Sequence, residues 1–338
     1  MRRLSTRRGE SYSLPLFLPV FQPNNHLVSI DRFVSEFSVE GCIVNAFFLY
    51  KQRDIRELVK KGLTLRDHLD FDGFLVTDSG AFQGFSGPLY LSNRKIVAFQ
   101  DAIRTDVASP LDLITPPGDS RHTAEWKWET TRRRIQEMLP VVQHCRLAGV
   151  QQGGRFPDLR RRSAEALAEM GVEYVAIGSL VPFFNRRHDL TFVGEILRDA
   201  RQALGSSMPI HVYGAGDPLE LPFMVKLGAD IFDSSSYAHY AVQGWYMTEY
   251  GALRVEREDL IREVECPCPF CGRGTEGIGG DAARLAAHNL WTITAVISGV
   301  RRALAEGSLD GMLAAVLDRH RRVFPDSLLP ESWERLHE

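Results

Sequence analysis

Long apolar runs are missing from this chain. The longest strongly apolar stretch, Cys42–Tyr50, is interrupted by Asn45 and has about half of the ~20 residues that a membrane-spanning helix needs. The basic start of the chain is followed by no apolar segment of the kind that a secretory signal requires. We therefore expect no membrane partner and a cytoplasmic location.

Cysteine is also scarce, with only five in 338 residues. That number excludes a disulfide-rich secreted scaffold. Hydrophobic residues make up 44% and charged residues 25% of the chain, which is ordinary for a globular protein and excludes wholesale disorder. The length suits one large domain or two ordinary ones.

Lysine is rare among the basic residues. Of 40 basic side chains, six are lysine and 34 are arginine, while the net charge is only -3. The whole chain therefore lacks the strongly basic balance of many nucleic-acid-binding proteins. The planar guanidinium group can donate two hydrogen bonds to a phosphate. The arginine clusters are consistent either with phosphate contacts or with solvated helix faces.

Short apolar runs alternate with amphipathic stretches along most of the chain. This pattern favours a parallel sheet with crossover helices. The candidate strands are Leu16–Val20, Gly41–Phe47, Phe74–Thr77, Leu111–Ile114, Leu147–Gln151, Tyr174–Ile177, Ile210–Tyr213 and Ile231–Asp233. The candidate helices are Ile30–Phe37, Thr123–Leu139, Arg161–Met170, Phe192–Leu204, Pro218–Leu227 and a long helical block, Ala282–Val323.

Eight such strands predict an α/β fold of the (β/α)8 TIM-barrel type, with C-terminal helices. A doubly wound open sheet is the alternative. No glycine-rich GxGxxG fingerprint follows any strand, so a dinucleotide-binding fold lacks its main sequence signal.

Several candidate strands end in polar or glycine-rich sequence. Asp78, Asp112 and Asp233 all stand at such ends, which meet at one mouth in a parallel barrel, where barrel active sites lie. Two carboxyl groups in one pocket can act as nucleophile and acid/base if their pKa values differ. Alternatively, Asp78 and Asp233 cap helices.

One glycine-rich strand end suggests a different chemistry. The segment Gly214–Gly216 precedes Asp217-Pro218 at a predicted helix start. A helix N-terminus of this kind can bind a phosphate group. An unrelated barrel enzyme acting on a small phosphorylated substrate is therefore an alternative.

Three of the five cysteines, Cys266, Cys268 and Cys271, lie close together in a C-P-C-P-F-C segment. Three cysteines in six residues of an intracellular chain point to a metal rather than to disulfides. His288 is the first histidine downstream and is the expected fourth ligand. Four protein ligands around Zn2+ would make a closed, structural site.

Together these motifs resemble the tRNA-guanine transglycosylase family over roughly residues 16–290. The most specific are Thr77–Gln83, Pro110–Asp112 with Thr115–Pro117, Gln152-Gly153, Phe232–Tyr237 and the cysteine segment with its histidine. The Ser79–Phe82 sequence, S-G-A-F, is similar to the archaeal branch, whereas the bacterial branch reads S-G-G-F. The family fold is a (β/α)8 barrel with a small zinc-binding insertion.

The resemblance implies an enzyme that exchanges a guanine in a polynucleotide for a free 7-deazaguanine base such as preQ0. It implies that Asp233 is the nucleophile that forms a covalent glycosyl-enzyme and that Asp78 is the acid/base. Asp112, Gln152, Gly178 and Ser179 match the residues that bind the base, and Ser79 and Phe82 are assigned to the same pocket. Phe82 suits stacking on the base and a core position equally well. Cys266, Cys268, Cys271 and His288 match the zinc ligands.

The resemblance also sets expectations about domains and partners. We expect a single transglycosylase domain, residues 1–338, with a zinc-binding subdomain at about 262–292 and no additional C-terminal RNA-binding domain. The acceptor is expected to be tRNA, with DNA as the alternative, since a related lineage modifies DNA. A homodimer is compatible with the sequence. Some family members are non-catalytic partner subunits, but this chain has both Asp78 and Asp233.

Overall fold

The computed structural model describes residues 2–23, 26–81, 91–271 and 278–337. The strands in this part of the chain are β1 (Arg3–Ser5), β2 (Ser11–Ser13), β3 (Leu16–Phe21), β4 (Gly41–Asn45), β5 (Phe74–Asp78), β6 (Val107–Ala108), β7 (Arg146–Leu147), β8 (Gly149–Gln151), β9 (Val175–Ile177), β10 (Ile210–Val212), β11 (Ile231–Ser234), β12 (Trp245–Thr248) and β13 (Gly251–Arg254).

The helices are α1 (Ile30–Ser35), α2 (Ala46–Lys51), α3 (Arg53–Lys60), α4 (Leu65–Leu69), α5 (Asn93–Ala102), α6 (Arg121–Met138), α7 (Pro157–Glu169), α8 (Thr191–Leu204), α9 (Leu221–Lys226), α10 (Ser236–Val242), α11 (Glu258–Glu263), α12 (Ala282–Glu306), α13 (Leu309–Val323) and α14 (Leu329–Arg335). None of the helices among the described residues is long and apolar enough to cross a bilayer.

Nine parallel strands follow one another around a barrel, in the order β7-β6-β5-β4-β3-β11-β10-β9-β8. The two end strands, β7 and β8, are separated only by Ala148, whose N–H donates to Ala108 on one side, while the N–H of Gly149 donates to Tyr174 on the other. Residues 146–151 therefore join both ends of the sheet. This confirms the predicted barrel and excludes the open sheet.

The barrel strands alternate between two apolar layers. Leu16, Leu18 and Ile43 belong to a cluster inside the barrel, whereas Phe17 and Cys42 pack in the layer between the barrel and its helices. This period of two is the one that a strand with two buried faces produces. The β1–β2 hairpin contributes Leu4 and Tyr12 to the inner cluster, which places this hairpin at the amino-terminal end of the barrel. The opposite, carboxyl end carries the polar strand ends.

Several predicted elements differ from the structure. The strand predicted at Gly41–Phe47 ends at Asn45, because helix α2 begins at Ala46. Residues 111–114 form a loop, and the fourth strand is the two-residue β6. Side chains hold this loop, because Asn93 Oδ1 accepts from the N–H of Leu111 and Thr131 Oγ1 accepts from that of Leu113. Helix α9 begins at Leu221, three residues after Pro218, and the long C-terminal block is two helices that separate at Gly307, which has φ +70°.

Asp230 joins three strands at the amino-terminal end of the barrel. Its side chain, only 7% exposed, pairs with Arg2 and Arg201, and one carboxylate oxygen also accepts from the N–H of Ile210. Its own carbonyl accepts from the N–H of Leu16. Asp230 therefore ties β10, β11 and β3 together where the barrel begins.

We expect Asp230→Asn to lower the free energy of unfolding by about 2–3 kcal/mol, because two guanidinium groups lose a buried charged partner. Urea denaturation of both proteins measures this difference. Asp310→Asn is the matched control, since the Asp310 side chain in the Lys226 ion pair is 77% exposed and such pairs contribute little. Equal losses in the two variants would show that Asp230 has no special role.

Candidate active site and metal centre

Three carboxyl groups lie at the carboxyl end of the barrel. Asp78 is the last residue of β5, Asp233 is the third residue of β11, and Asp112 lies in the loop after β6. The charges of Asp112 and Asp233 both act on Asp78. The structure thus brings together the three carboxyl groups singled out from the sequence.

Asp233 is held by groups from the neighbouring strand β10. His211 Nε2 lies 2.8 Å from Asp233 Oδ1, and the N–H of Gly214 donates to the same oxygen at 3.3 Å. The other ring nitrogen of the buried His211 lies 2.8 Å from the hydroxyl of Tyr174. Helix α10 has Ser235 as its N-cap residue. Asp233 lies inside a strand, so the helix-capping interpretation of this residue is wrong.

Asp78 has a raised pKa. Burial raises the pKa of its carboxyl group to about 7, and the negative charges of Asp112 and Asp233 act in the same direction. The side chain of Asn45 donates to Asp78 Oδ2 at 3.2 Å. At neutral pH this carboxyl group therefore exists in both the protonated and the ionised form.

A chain of hydrogen bonds connects Asp112 with the ends of β8 and β9. The Gln152 amide donates to Asp112 Oδ2 at 2.6 Å and accepts from the Ser179 hydroxyl at 2.7 Å. Ser179 Oγ in turn accepts from the N–H of Thr115. Burial raises the pKa of Asp112 to about 6, while the hydrogen bond from Gln152 opposes this rise. Three of the predicted base-binding side chains thus form one network.

Gly178 allows this network to assemble. A Cβ atom at Gly178 would lie 2.7 Å from Gln152 Nε2, so any larger residue would push the amide away from Asp112. The next residue, Ser179, has φ +58°, a strained backbone conformation that is often associated with function.

Arg160 binds the backbone of the loops that carry this network. This fully buried guanidinium group on α7 donates to the carbonyl oxygens of Gly154, Gly178 and Ser179 at 2.7, 3.0 and 3.3 Å. Its burial lowers the pKa of Arg160. The predicted helix Arg161–Met170 begins too late to include this residue, since α7 starts at Pro157.

Ser79 and Phe82 are the two other residues predicted for the base pocket. Ser79 is buried, and its hydroxyl has no hydrogen-bond partner among the described residues. Phe82 lies outside the described residues.

The sequence interpretation missed His211, Tyr174, Asn45 and Arg160. His211 stands two residues before Tyr213, so strand alternation directs both side chains to the same side of β10. The Tyr213 hydroxyl lies 2.8 Å from Ser109 Oγ. Burial raises the pKa of Tyr213, and the charges of all three carboxyl groups act in the same direction. A polar residue at alternate positions of a strand was the available signal. Nothing in the sequence indicated the role of Arg160.

The three cysteines and His288 converge as predicted. The sulfur atoms of Cys266, Cys268 and Cys271 lie 3.6, 3.3 and 3.2 Å from His288 Nδ1. All four ligand atoms lie within 4.8 Å of one another. Three thiols and one imidazole nitrogen at these separations fit one tetrahedral metal ion.

The surroundings of His288 orient it for metal binding. Its Nε2 lies 2.9 Å from the carbonyl oxygen of Met247, so a proton on Nε2 leaves Nδ1 free to face the sulfur atoms. The ring of Tyr246 stacks on the imidazole at 3.7 Å, and its hydroxyl lies 3.1 Å from Cys271 Sγ. Hairpin β12–β13 therefore contributes the second layer of the cluster.

Comparison with known proteins gives a consistent result. The model of the queuine tRNA-ribosyltransferase family matches residues 1–322. A tRNA-guanine(15) transglycosylase of Methanopyrus kandleri is 36% identical over 324 residues, which are 94% of this chain and 69% of the relative. The enzyme of the same name from Thermococcus kodakarensis is 35% identical, over 90% of this chain and 52% of the relative.

A third relative with this name, from Methanocaldococcus jannaschii, is 32% identical over 89% of this chain and 47% of its own length. The chain thus spans from about half to about two thirds of these relatives. The matches extend over both the barrel and the metal cluster. The chain therefore belongs to the queuine tRNA-ribosyltransferase family, the tRNA-guanine transglycosylases that its motifs resemble.

Proposed function

We propose that this protein replaces a guanine in a polynucleotide, with tRNA the favoured acceptor, by a free 7-deazaguanine base such as preQ0. The observation that carries the proposal is the placement of Asp233 and Asp78 at one barrel mouth, together with the Asp112–Gln152–Ser179 network. The proposed assignments follow the chemistry that each side chain offers in this arrangement.

Asp233 is proposed as the nucleophile. Its ionised carboxylate attacks the ribose C1′, a bond forms between this oxygen and C1′, and the bond from C1′ to N9 of guanine breaks. The N–H of Gly214 donates to one carboxylate oxygen, and the His211 imidazole lies 2.8 Å from the same oxygen. Such fixed neighbours reduce the reorganisation that the reaction requires.

Asp78 is proposed as the acid/base. In its protonated form it donates a proton to the departing guanine, and the resulting carboxylate accepts a proton from the incoming base. That base then attacks C1′ and releases Asp233, so Asp78 ends the cycle as it began. A pKa of about 7 suits both directions of proton transfer near neutral pH.

The base is proposed to bind through Asp112, Gln152, Gly178 and Ser179. A flipped guanine is recognised by hydrogen bonds to its edge. Asp112 accepts from amino and imino groups, whereas Gln152 and the backbone N–H groups donate to carbonyl oxygens. Ser79 and Phe82 are proposed for the same pocket because they belong to the same motif as Asp78.

The names of the relatives support tRNA as the acceptor, because each of the three is called a tRNA-guanine(15) transglycosylase. Exchange on DNA would use the same chemistry and is the second candidate. The alternative of a small phosphorylated substrate loses its main support. Four residues separate Gly216 from the start of helix α9, which is itself only six residues long. Asp217 and Glu220 lie in this interval and add negative charge, which disfavours a phosphate group there.

The metal is proposed to be Zn2+, because three thiolates and an imidazole at tetrahedral spacing form the ligand set that zinc prefers. With all four positions filled by protein, its role would be structural. It would hold the cysteine segment to α12 and to hairpin β12–β13.

The nucleophile assignment predicts that Asp233→Asn abolishes exchange. A reduction of at least about 1,000-fold is expected, because the amide cannot form the glycosyl ester. The measurement is incorporation of radiolabelled guanine into tRNA and into a matched DNA. Asp310→Asn is the control and should keep normal exchange. Near-normal incorporation by Asp233→Asn would show that another residue is the nucleophile.

The zinc assignment predicts about one zinc ion per chain by elemental analysis, from one closed site. Cys268→Ser should lose the metal and much of the folded protein, because the free energy of metal binding contributes to folding. Cys145→Ser is the matched control, since Cys145 is also buried but does not belong to the metal cluster. Its thiol donates to Asp101 instead. A folded and active protein without metal would contradict the assignment.

The raised pKa of Asp78 predicts a pH-dependent stability. Between about pH 4 and pH 7 its carboxyl group is ionised in the unfolded chain but protonated in the folded one, so stability falls as pH rises. From pH 5 to 8 the wild-type protein should lose about 2–3 kcal/mol relative to Asp78→Asn. Urea denaturation across this pH range measures the difference. Parallel profiles for the two proteins would contradict the raised pKa.

A further inference from the structure

A second group of side chains of the types that bind metal ions lies apart from the cysteine cluster. It consists of His188, Asp217 and Glu220, each of which has a ligand atom within 4.8 Å of those of the other two. His188 Nδ1 lies 2.8 Å from Glu220 Oε1 and 4.0 Å from Asp217 Oδ2. We call these three residues the His188 cluster. The proposed exchange reaction uses none of them.

Two loops bring the His188 cluster together. His188 lies between β9 and α8, whereas Asp217 and Glu220 lie in the turn between β10 and α9. The turn is fixed by its own hydrogen bonds, since Asp217 Oδ1 accepts from the N–H of Leu219 and the Asp217 carbonyl accepts from the N–H of Glu220. These bonds leave Asp217 Oδ2 on the side of His188.

The cluster carries more negative than positive charge, and little of it is exposed to water. Glu220 is only 3% and His188 9% exposed. No lysine or arginine in the described part of the chain forms an ion pair with Asp217 or Glu220. His188 therefore supplies at most one positive charge against two carboxylates, and a buried charge without a partner is costly. A divalent cation would balance both carboxylates while the imidazole stays neutral.

Two polar atoms at the cluster lack a partner. Glu220 lines a cavity, and its Oε2 accepts no hydrogen bond from residues 2–23, 26–81, 91–271 or 278–337. The fully buried His320 contacts the Tyr250 carbonyl through Nδ1, but its Nε2 has no partner within the same ranges. The His320 ring lies 5.6 Å from the His188 ring, edge to face. A metal ion that keeps bound water, as many do, supplies a ligand for the oxygen and a hydrogen-bond partner for the nitrogen.

The cavity gives an ion access to the cluster. It has a volume of about 590 Å³ and lies beside Trp245, and all three cluster residues line it. Arg186 lines it as well, but its guanidinium group lies 5.0 Å from the centre of the Trp245 ring and pairs with neither Asp217 nor Glu220. The cavity therefore has room for an ion together with its water molecules, and no cation of the protein occupies the two carboxylates.

The separations within the cluster fit a metal ion. Bonds to nitrogen and oxygen ligands are about 2.1 Å long, so ligands at right angles lie about 3.0 Å apart and opposite ligands about 4.2 Å apart. The 2.8 and 4.0 Å separations from His188 Nδ1 each lie within about 0.2 Å of one of these values. Direct contacts between ligand atoms also occur in the cysteine cluster, where the sulfur atoms lie 3.2–3.6 Å from His288 Nδ1.

We infer that His188, Asp217 and Glu220 bind a divalent transition-metal ion, such as Mn2+ or Zn2+, at a site separate from the cysteine cluster. The donor set selects the kind of ion, because imidazole suits transition metals, whereas Mg2+ and Ca2+ take oxygen ligands. The ion would join the β9–α8 loop to the turn after β10. This inference goes beyond the proposed exchange reaction and does not depend on it, because metal binding alone tests it.

The test is titration of Mn2+ into the full chain, with free Mn2+ measured by electron paramagnetic resonance. The protein is first dialysed against a weak chelator until about one zinc ion per chain remains, the content expected for the closed cysteine cluster. Wild type should then bind about one Mn2+ ion per chain, since the cluster offers one set of ligands. Glu220→Gln should weaken this binding at least about 10-fold, because it removes a charged ligand.

Two control variants locate the ion. Glu195→Gln should bind Mn2+ like wild type, since Glu195 is exposed on α8 and does not line the cavity. Asp112→Asn should also leave Mn2+ binding unchanged, which separates the His188 cluster from the three carboxyl groups at the barrel mouth. Loss of Mn2+ binding in Asp112→Asn but not in Glu220→Gln would overturn the inference.

Competition in the wild-type protein does not depend on how well a variant folds. Zn2+ should displace the bound Mn2+ at a concentration at least about 10-fold lower than Mg2+ requires, because an imidazole ligand favours zinc. Mn2+ should also raise the Tm of wild type but not that of Glu220→Gln, since an ion that binds only the folded protein stabilises it.

Two results in wild type would overturn the inference. Absence of Mn2+ binding would show that His188 and Glu220 form an ordinary ion pair. Displacement of Mn2+ by Zn2+ and Mg2+ at equal concentrations would show that no imidazole takes part in binding.

Discussion

The site depends on neutral hydrogen-bond donors that hold three neighbouring carboxyl groups. Asn45 donates to Asp78, Gln152 donates to Asp112, and the N–H of Gly214 donates to Asp233. No lysine or arginine among the described residues forms a salt bridge to any of the three. A cationic partner would favour ionisation and lower the pKa values of these groups. For Asp78, burial and the charges of Asp112 and Asp233 then raise the pKa of the carboxyl group, as the proposed acid/base role requires.

Arginine in this protein is mainly a structural residue. Arg160 joins two active-site loops, Arg201 and Arg2 join strands through Asp230, and Arg66 pairs with the buried Asp106. Many of the exposed arginines on helices also have a carboxylate partner close by in the chain, for example Arg32 with Glu36. Neither solvated faces nor phosphate contacts alone explain the excess of arginine. Arg186 differs from these residues, because it forms no ion pair within the part of the chain that the structure describes.

Hydrogen bonds connect the metal cluster with the barrel mouth. His288 belongs to the cluster, and the next residue on α12, Asn289, accepts from the N–H of Met247 and donates to the carbonyl oxygens of Tyr237 and Trp245. Tyr237 lies on α10, which follows Asp233 almost immediately. A bound ion would thus stabilise helix α10, which follows Asp233, and the hairpin β12–β13, although the cluster lies outside the barrel mouth.

Local sequence determined much of this protein. Apolar runs that end in polar or glycine-rich sequence were sufficient to predict the parallel barrel, because each run needs burial on both faces and each polar end needs an exposed edge. The spacing of Cys266, Cys268 and Cys271 was sufficient to predict a metal cluster, because neighbouring thiols in six residues can face one ion. The family motifs then indicated Asp78, Asp112 and Asp233.

Tertiary structure alone decided the remaining features. Asp112 lies in a loop whose neighbouring N–H groups donate to the side chains of Asn93 and Thr131 from other elements. No local pattern encodes such distant partners. His211 meets Asp233, and Arg160 meets Gly178, only when strands and helices from separate parts of the chain pack together. The cavity beside Trp245 likewise forms from five separate chain segments. Secondary structure follows from neighbours in sequence, whereas pKa values, loop positions and cavities follow from neighbours in space.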